Sequence, residues 1–331
     1  MTFNISCAFA SAPSTPAHVE LAEQLGYHRA WLYDSPAITA DVWATAALSA
    51  VRTERINLAT GMLVPRIRHP LVTASAIAQL VDLIPGRFGV GIGSGFTGSC
   101  LLGKKPMRWA DVDSYVGAVQ ALLRGEDVAW DDSVIRMCHP NYVLSDRPIA
   151  VPWVVAAEGP KGLAVARKYG DGIASALAAP PEGFDWVTKL TFGTVLDEGE
   201  SPISDRAYEA AGFGASMVYH LYYEWQGPDA LDQIPGGAQW REHVMRADER
   251  VRHLVAHEGH AMYVNDIERA VMPRENVPEF TLTGTAEELR PKLAEMRAAG
   301  VTEVMYQPAG PDIPRELRAF ADMAMPLAAA A

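Results

Sequence analysis

The sequence predicts a single (β/α)8 barrel with inserted segments at the carboxyl ends of its strands. Short apolar runs alternate with helical patterns at a spacing of roughly 25–30 residues, which is typical of parallel βαβ units. The chain has 331 residues, a length that α/β barrels routinely fill as one unit. We therefore expect one domain over residues 1–331.

Strand-like and helix-like runs follow one another through most of the chain. The predicted strands are Asn4–Phe9, Ala30–Tyr33, Ile56–Met62, Phe88–Ile92, Trp153–Ala157 and Gly172–Ser175, and the predicted helices are Pro16–Leu25, Asp41–Val51, Val72–Leu83, Val112–Leu123 and Gly162–Tyr169. A closed barrel explains this regularity better than an open sheet, although the sequence holds no dinucleotide fingerprint that decides between them.

Two stretches interrupt the alternation, and we expect both to be insertions. Residues Val128–Leu144 have the pattern of a polar-flanked hairpin or loop, and a second excursion, with Pro180-Pro181 near its start, covers about residues 178–277. The regular pattern then returns. A threonine N-cap precedes an acidic first turn at Thr285–Glu288, Gly300 ends that helix, and Val301–Gln307 resembles a last strand before a closing helix at Pro314–Met325.

Composition and charge exclude several classes of protein. Hydrophobic residues make up 49% and the formal net charge is −12, which indicates a globular chain and argues against nucleic-acid or anionic-membrane surfaces. Cys7, Cys100 and Cys138 lack the spacing of a zinc or redox motif. We expect a cytoplasmic protein, because the start of the sequence has neither a signal-peptide pattern nor a membrane span.

Three segments carry a resemblance to a known family. They are Ala59–Pro70 (ATGMLVPRIRHP), Gly86–Gly95 (GRFGVGIGSG) and Ala156–Gly162 (AAEGPKG). In order and spacing the chain resembles the bacterial luciferase superfamily, and within it most closely the methylenetetrahydromethanopterin reductases. The resemblance implies a flavin or the deazaflavin coenzyme F-420 at the carboxyl face of the barrel, a small-molecule substrate and a homodimer.

The first segment places a glycine at the end of a strand. Gly61, followed by Met62, permits an unusual backbone there, or it is an ordinary turn glycine. The resemblance implies a non-prolyl cis peptide at this point, beneath the middle ring of the cofactor. We therefore expect Gly61 and Met62 to contact the cofactor.

The second and third segments offer backbone to a ligand. Gly93 and Ser94 follow a strand whose alternating glycines either admit a planar ring or serve barrel packing. The run Glu158, Gly159, Pro160, Lys161 and Gly162 lies between a strand and a helix, so its amides would meet an anion at a helix N-terminus; a routine turn is the alternative. The resemblance favours a phosphate loop here.

Six cations lie on loops that follow the third and fourth strands. They are Arg66, Arg68, His69, Lys104, Lys105 and Arg108. Such a patch would attract an anionic cofactor tail despite the negative net charge, whereas scattered surface cations are the alternative.

Acidic residues of the reductases are missing from this sequence. The corresponding ends of the first and fourth strands carry Ala8 and Phe96, and the remaining strand-end acid is Asp34. Asp34 is therefore the candidate for proton transfer, with a purely structural cap as the alternative. The pterin substrate of the reductases is not carried over to this chain.

Histidines and aromatic residues in the second excursion allow two further interpretations. His253, His257 and His260 fall at helical spacing without a H-E-x-x-H motif, so we expect solvated or core-satisfied histidines and no metal. The aromatic run at Tyr219–Trp225 is read as a strand end. His220 and Tyr223, together with Phe96, are candidate substrate-pocket residues, with plain packing as the alternative.

Three functions remain compatible with the sequence. The first is hydride transfer between coenzyme F-420 and a small organic substrate, the second is an FMN-dependent monooxygenase that uses reduced flavin and oxygen, and the third is a non-catalytic barrel homologue. The segments Gly86–Gly95 and Ala156–Gly162 favour hydride transfer with coenzyme F-420.

Overall fold

The computed structural model describes residues 2–177 and 179–329. Eight parallel strands close into a barrel in the order β1-β10-β9-β8-β7-β4-β3-β2, and a separate two-stranded hairpin is formed by β5 and β6. The predicted barrel class is confirmed.

The elements follow one another with few interruptions. The strands are β1 (Asn4–Phe9), β2 (Arg29–Leu32), β3 (Asn57–Leu63), β4 (Phe88–Gly93), β5 (Val128–Trp130), β6 (Ser133–Ile135), β7 (Trp153–Ala156), β8 (Gly172–Ser175), β9 (Val187–Phe192) and β10 (Glu303–Gln307). The helices are α1 (Thr15–Gln24), α2 (Val42–Ala50), α3 (Pro70–Leu83), α4 (Phe96–Cys100), α5 (Trp109–Arg124), α6 (Pro160–Tyr169), α7 (Asp205–Trp225), α8 (Gly237–Arg246), α9 (Arg252–Ala256), α10 (Asp266–Val271), α11 (Asn276–Phe280), α12 (Ala286–Ala298) and α13 (Ile313–Ala329).

The predicted signals at the end of the chain agree with the structure. The Thr285 amide donates to Glu288 Oε2 at 2.8 Å and the Glu288 amide donates to Thr285 Oγ1 at 3.3 Å, a reciprocal cap at the start of α12. Gly300 has φ +100°, a conformation that glycine adopts without a steric penalty. The predicted last strand and closing helix correspond to β10 and α13.

The segment 178–277, expected as an insertion, contains a barrel strand. Strand β9 runs beside β8, with Ala174 opposite Thr188 and Ser175 opposite Lys189. Its sequence VTKLTF mixes polar and apolar residues, so it lacks the apolar run that marks the other strands. The start of the expected insertion, Ala178, lies outside the described residues.

The aromatic run at Tyr219–Trp225 belongs to a helix, so its interpretation as a strand end was wrong. Helix α7 has 21 residues, and Ser204 caps it by accepting a hydrogen bond from the Ala207 amide at 3.1 Å. Clustered aromatic residues favour strands only weakly. Burial of α7 outweighs that preference, so the segment forms a helix.

The chain forms two compact units. The first comprises residues 1–99, 105–190 and 299–305, and the second comprises residues 100–104, 191–298 and 306–331. The second unit has its own apolar core, in which the Tyr219 and Trp240 rings stack with centroids 5.9 Å apart.

A buried carboxylate lies inside the first unit, at the amino end of β10. Glu303 accepts hydrogen bonds from the Trp31 indole at 2.9 Å and the Trp186 indole at 2.8 Å. The Arg29 guanidinium lies 3.4 Å from the same carboxylate and 4.6 Å from the centroid of the Trp186 ring. These contacts compensate the charge of a side chain that is only 1% exposed.

Among the described residues, no helix has the length and apolar character needed to cross a membrane.

Replacing Glu303 by glutamine is expected to destabilise the protein by about 3–5 kcal/mol, because Arg29 loses its buried partner and the new amide faces an indole donor. Urea unfolding followed by circular dichroism measures the change. The matched control is Glu20→Gln, which removes the exposed pair with Arg52 and should cost about 0–1 kcal/mol. Equal losses in both variants would show that the Glu303 network does not stabilise the barrel.

Candidate functional site

The carboxyl end of β3 has the backbone that the resemblance implied. The peptide bond between Gly61 and Met62 is cis, and the pairing of β3 with β4 shifts register between Thr60 and Leu63. The Thr60 hydroxyl donates to the Gly91 carbonyl at 2.9 Å and accepts from the Gly91 amide at 3.0 Å. The expected cis peptide is confirmed at this position.

Glycine is required at two places around this bulge. A Cβ atom on Gly61 would lie 2.9 Å from Trp31 Cβ, and one on Gly91 would overlap the Thr60 carbonyl oxygen and lie 2.6 Å from the Met62 sulphur. Met62 is partly buried and packs on the apolar interior of the barrel. Trp31 of β2 and the Thr60 carbonyl and Met62 side chain of β3 therefore leave no space for substitution at Gly61 or Gly91.

Gly93 and Ser94 lie beside this bulge, at the end of β4. Gly93 pairs with Ala156 of β7, and a Cβ atom on Gly93 would lie 3.9 Å from Met62 Cβ. Ser94 is half-buried, and its carbonyl accepts from the Met107 amide at 2.9 Å. Gly61, Met62, Gly93 and Ser94 thus occupy adjacent strand ends, as expected.

Helix α6 begins directly after β7, where the third segment was expected to bind phosphate. Gly159 is the N-cap and has no side chain with which to cap the first amides, and Pro160 occupies the first turn. A Cβ atom on Gly159 would meet nothing within 4 Å, whereas one on Gly162 would lie 2.6 Å from Ala157 Cβ. The amides of Lys161 and Gly162 therefore start a helix beside open space at Gly159.

The Glu158 side chain organises the neighbouring loop. Its Oε1 accepts from the Ala176 amide at 2.6 Å and the Leu177 amide at 3.1 Å. The carboxylate thus connects the end of β7 to the segment after β8.

Asp34 is held in an ion pair. The side chain of Asp34 is 1% exposed, and Arg68 Nη1 lies 2.6 Å from Oδ2 and 2.7 Å from Oδ1. The Val64 amide donates to Oδ2 at 3.1 Å. Burial raises the pKa of Asp34, although Arg68 and the Val64 amide act in the opposite direction.

The expected basic patch is only partly available to a ligand. Arg68 also contacts Asp41 at 3.1 Å, and Arg108 pairs with Asp111 at 2.8 Å. The His69 side chain accepts from the Leu71 amide at the start of α3. Arg66 donates to the Lys105 carbonyl at 3.3 Å.

The positions of the missing reductase acids are both apolar. Ala8 is buried in β1 among Trp31, Ala59 and other interior side chains. Phe96 is partly exposed and begins α4. A carboxylate is absent from both places.

The two other pocket candidates, His220 and Tyr223, lie on α7 in the second unit. His220 is 1% exposed and bonds to Glu268 and His260. The Tyr223 and Trp240 rings meet edge to face, with centroids 5.8 Å apart. These contacts place both side chains in a packed core, and a role at the substrate remains a prediction.

Two of the three histidines that were expected to be solvated or satisfied in the core are buried, and His253 is half-buried. His257 and His260 are 0% and 1% exposed. Helix α9 ends at Ala256 with His257 as its C-cap, and the His257 amide donates to the His253 carbonyl at 3.2 Å, so these two histidines are one helical turn apart. Two residues that the sequence analysis did not single out also matter here: Glu268, which an Asn265 capping box marks in sequence, and Glu224.

Two clefts of the first unit lie away from these strand ends. One, of about 520 Å³, is lined by the end of α3 and by the segment between β6 and β7, including Asp82 and Tyr142. The other, of about 360 Å³, lies at the amino ends of strands and includes His28 and Arg29. Because (β/α)8 enzymes bind substrates at the carboxyl face, we place the candidate site at the strand ends rather than in either cleft.

The chain is similar to a known protein family and to several known proteins. Residues 6–190 match the family model described as luciferase-like monooxygenase. A 5,10-methylenetetrahydromethanopterin reductase of Archaeoglobus fulgidus is 26% identical over 313 residues, covering 89% of this chain and 90% of the relative. An F420-dependent glucose-6-phosphate dehydrogenase of Beutenbergia cavernae is 34% identical over 255 residues, covering 71% and 70%.

A solved structure shares the fold along nearly the whole chain. It is an F420-dependent secondary alcohol dehydrogenase in complex with an F420-acetone adduct, with TM-score 0.70, 19% identity and coverage of 98% of this chain and 99% of that one. The closed barrel agrees with the family match over more than half of the sequence: this chain belongs to the luciferase-like family and is an oxidoreductase of that family.

Proposed function

We propose that this protein transfers hydride between coenzyme F-420 and a small organic substrate. The observation that carries the proposal is the arrangement of glycine-rich strand ends at Gly61 and Gly93, with the N-terminus of α6, which has no side-chain cap, directly after the neighbouring strand β7. The relative reported above as an F420-dependent glucose-6-phosphate dehydrogenase supports this cofactor class.

The residues present fit a flat cofactor with an anionic tail. Gly61, Met62, Gly93 and Ser94 would contact the ring through backbone, since three of these four residues carry no side chain or only a small one. Open space at Gly159 leaves room for a phosphate.

The first turn of α6 would bind that anionic tail. The amides of Lys161 and Gly162 would donate to phosphate oxygens, and Lys161 is exposed and adds a positive charge. Pro160 would preset the first turn. Glu158 would act indirectly, by holding the loop after β8. The bound deazaflavin supplies the hydride chemistry, and the protein supplies position and polarity.

Asp34 remains our candidate for proton transfer, and its contacts favour a positioning role. Both of its oxygens already accept hydrogen bonds, and its bond to the Val64 amide fixes the backbone just after β3. Through Val64, the Asp34–Arg68 pair would orient the Gly61–Met62 bulge.

An FMN-dependent monooxygenase is the second candidate function, because the matched family model is described as luciferase-like monooxygenase. It would use the same strand ends but would require reduced flavin and oxygen. A non-catalytic homologue is the third and would bind neither cofactor. The homodimer, the cytoplasmic setting and a pocket at Phe96, His220 and Tyr223 are also proposals.

Purified protein is expected to bind coenzyme F-420 more tightly than FMN. Titration of each cofactor, followed by its fluorescence, measures the two affinities, and a substrate screen with F-420 follows. Tighter binding of FMN together with oxygen consumption would support the monooxygenase instead. Binding of neither would support the non-catalytic homologue.

Gly159→Val should weaken F-420 binding about tenfold or more, a loss of about 1.4 kcal/mol, by filling the space beside the α6 amides. The variant should fold normally, because φ −130° and ψ 169° suit valine and the site is open. Gly159→Ala, with less bulk, is the matched control and should lose less affinity. Equal F-420 affinity in the wild type and in Gly159→Val would show that the N-terminus of α6 does not bind the phosphate.

Asp34→Asn distinguishes proton transfer from positioning when it is compared with Arg68→Gln. If Asp34 transfers a proton, Asp34→Asn should lower kcat about a hundredfold or more and remove one limb of its pH profile, with cofactor affinity retained. If Asp34 is a positioning residue, both variants should weaken cofactor binding and leave the shape of the kcat profile unchanged. If both variants behave like the wild type, Asp34 neither transfers a proton nor positions the site.

A further inference from the structure

Three histidines converge inside the second unit, outside the candidate cofactor site. His220 lies on α7, His257 directly follows α9 and His260 lies three residues later. All three are at most 1% exposed. Their ring nitrogens lie within 4.8 Å of one another, which is compatible with one shared ion.

The same ring atom of each histidine faces the centre of this cluster. His220 Nδ1 lies 2.5 Å from His260 Nδ1, and His257 Nδ1 lies 3.4 Å from His260 Nδ1. Two nitrogens bound tetrahedrally to zinc at 2.0–2.1 Å are about 3.4 Å apart. The His257–His260 spacing already has this value, and His220 and His260 would need to separate by about 0.9 Å, which a small ring rotation provides.

The opposite ring atoms of two histidines meet carboxylates. His220 Nε2 lies 2.6 Å from Glu268 Oε1, and His257 Nε2 lies 3.0 Å from Glu224 Oε1. A carboxylate that accepts Nε2–H selects the tautomer that has its lone pair on Nδ1, the atom that faces the other histidines. Metal-binding histidines usually have this second partner, which fixes the ring and strengthens the nitrogen as a ligand.

The charge of the cluster suits a divalent cation. Three neutral imidazoles contribute no charge, and the carboxylates of Glu224 and Glu268 together contribute two negative charges when ionised. A divalent ion would balance them in a core with little access to water. Imidazole ligands favour zinc and neighbouring transition metals over magnesium or calcium.

A neighbouring group of three side chains is a weaker candidate site for the same ion. Cys100, Glu224 and His257 also come within reach of one another. This group contains one imidazole, whereas the first contains three convergent imidazoles with carboxylates behind two of them. The imidazole set is therefore preferred.

We propose that His220, His257 and His260 bind one divalent transition-metal ion of the zinc class, with Glu224 and Glu268 orienting two of the rings. The ion would connect α7 to the segment between α9 and α10 and stabilise the core of the second unit. This reverses the expectation, drawn from spacing alone, that the histidines bind no metal.

The test uses the full chain without an affinity tag of histidines, stripped with a chelator and titrated with Zn²⁺ and with Co²⁺. We expect one tight equivalent per chain, visible Co²⁺ absorption typical of nitrogen ligands, and a higher Tm with Zn²⁺. Absence of a tight equivalent for either ion would overturn the proposal and leave a proton-sharing histidine cluster.

Substitutions at His260 and Glu268 test which side chains bind or orient the ion. His260→Asn should abolish tight binding and the Zn²⁺-dependent rise in Tm, whereas His243→Asn, at an exposed position on α8, should retain both. Glu268→Gln should fold, as judged by circular dichroism, and bind Zn²⁺ about 10–100-fold more weakly. Unchanged affinity in both His260→Asn and Glu268→Gln would overturn the proposal, as would loss of binding in Cys100→Ser with thiolate-to-cobalt absorption in the wild type.

Discussion

Closure of the barrel between its first and last strands is the constraint on which the rest of the first unit depends. The Asn4 amide donates to the Thr302 carbonyl at 2.8 Å, which connects the start of the chain to a residue almost 300 positions later. Closing a ring of strands removes exposed strand edges but creates an interior that must be filled. Here the amino end of that interior is filled by Trp31, Trp186 and Arg29 around the Glu303 carboxylate.

The same closure brings short, distant sequence segments to one edge. Strands β3, β4 and β7 are neighbours in the barrel although the chain between β4 and β7 includes two helices and a hairpin. The bulge at Gly61–Met62, the end of β4 at Gly93 and the start of α6 therefore lie on adjacent strand ends. Parallel strands make this juxtaposition unavoidable, because all their carboxyl ends point the same way.

Polar groups inside the two units are stabilised in different ways. In the first unit, Asp34 and Glu303 each pair with an arginine and with N–H donors. In the second unit, His220 and His257 pair with carboxylates and turn their other nitrogens toward a third histidine. The buried carboxylates are satisfied by an arginine together with N–H donors, whereas the convergent imidazoles are the basis of the proposed cation site.

Much of the barrel could be predicted from the sequence, because local patterns decide it. Seven of the strands, the hairpin at β5–β6 and the Thr285 cap each had a signal within about a dozen residues, whereas the cis peptide at Gly61–Met62 was implied by the family resemblance. Strand β9 and helix α7 had no such signal, since VTKLTF lacks an apolar run and the aromatic residues of α7 are compatible with either element. Tertiary packing also decided the partners of charged groups: Arg68 had the pattern of a free cation, and Glu224 and Glu268 showed no relation to His257 and His220. Ion pairs and histidine clusters join residues that are 30 to 50 positions apart, and a sequence pattern with a period of two or 3.6 residues carries no information over that distance.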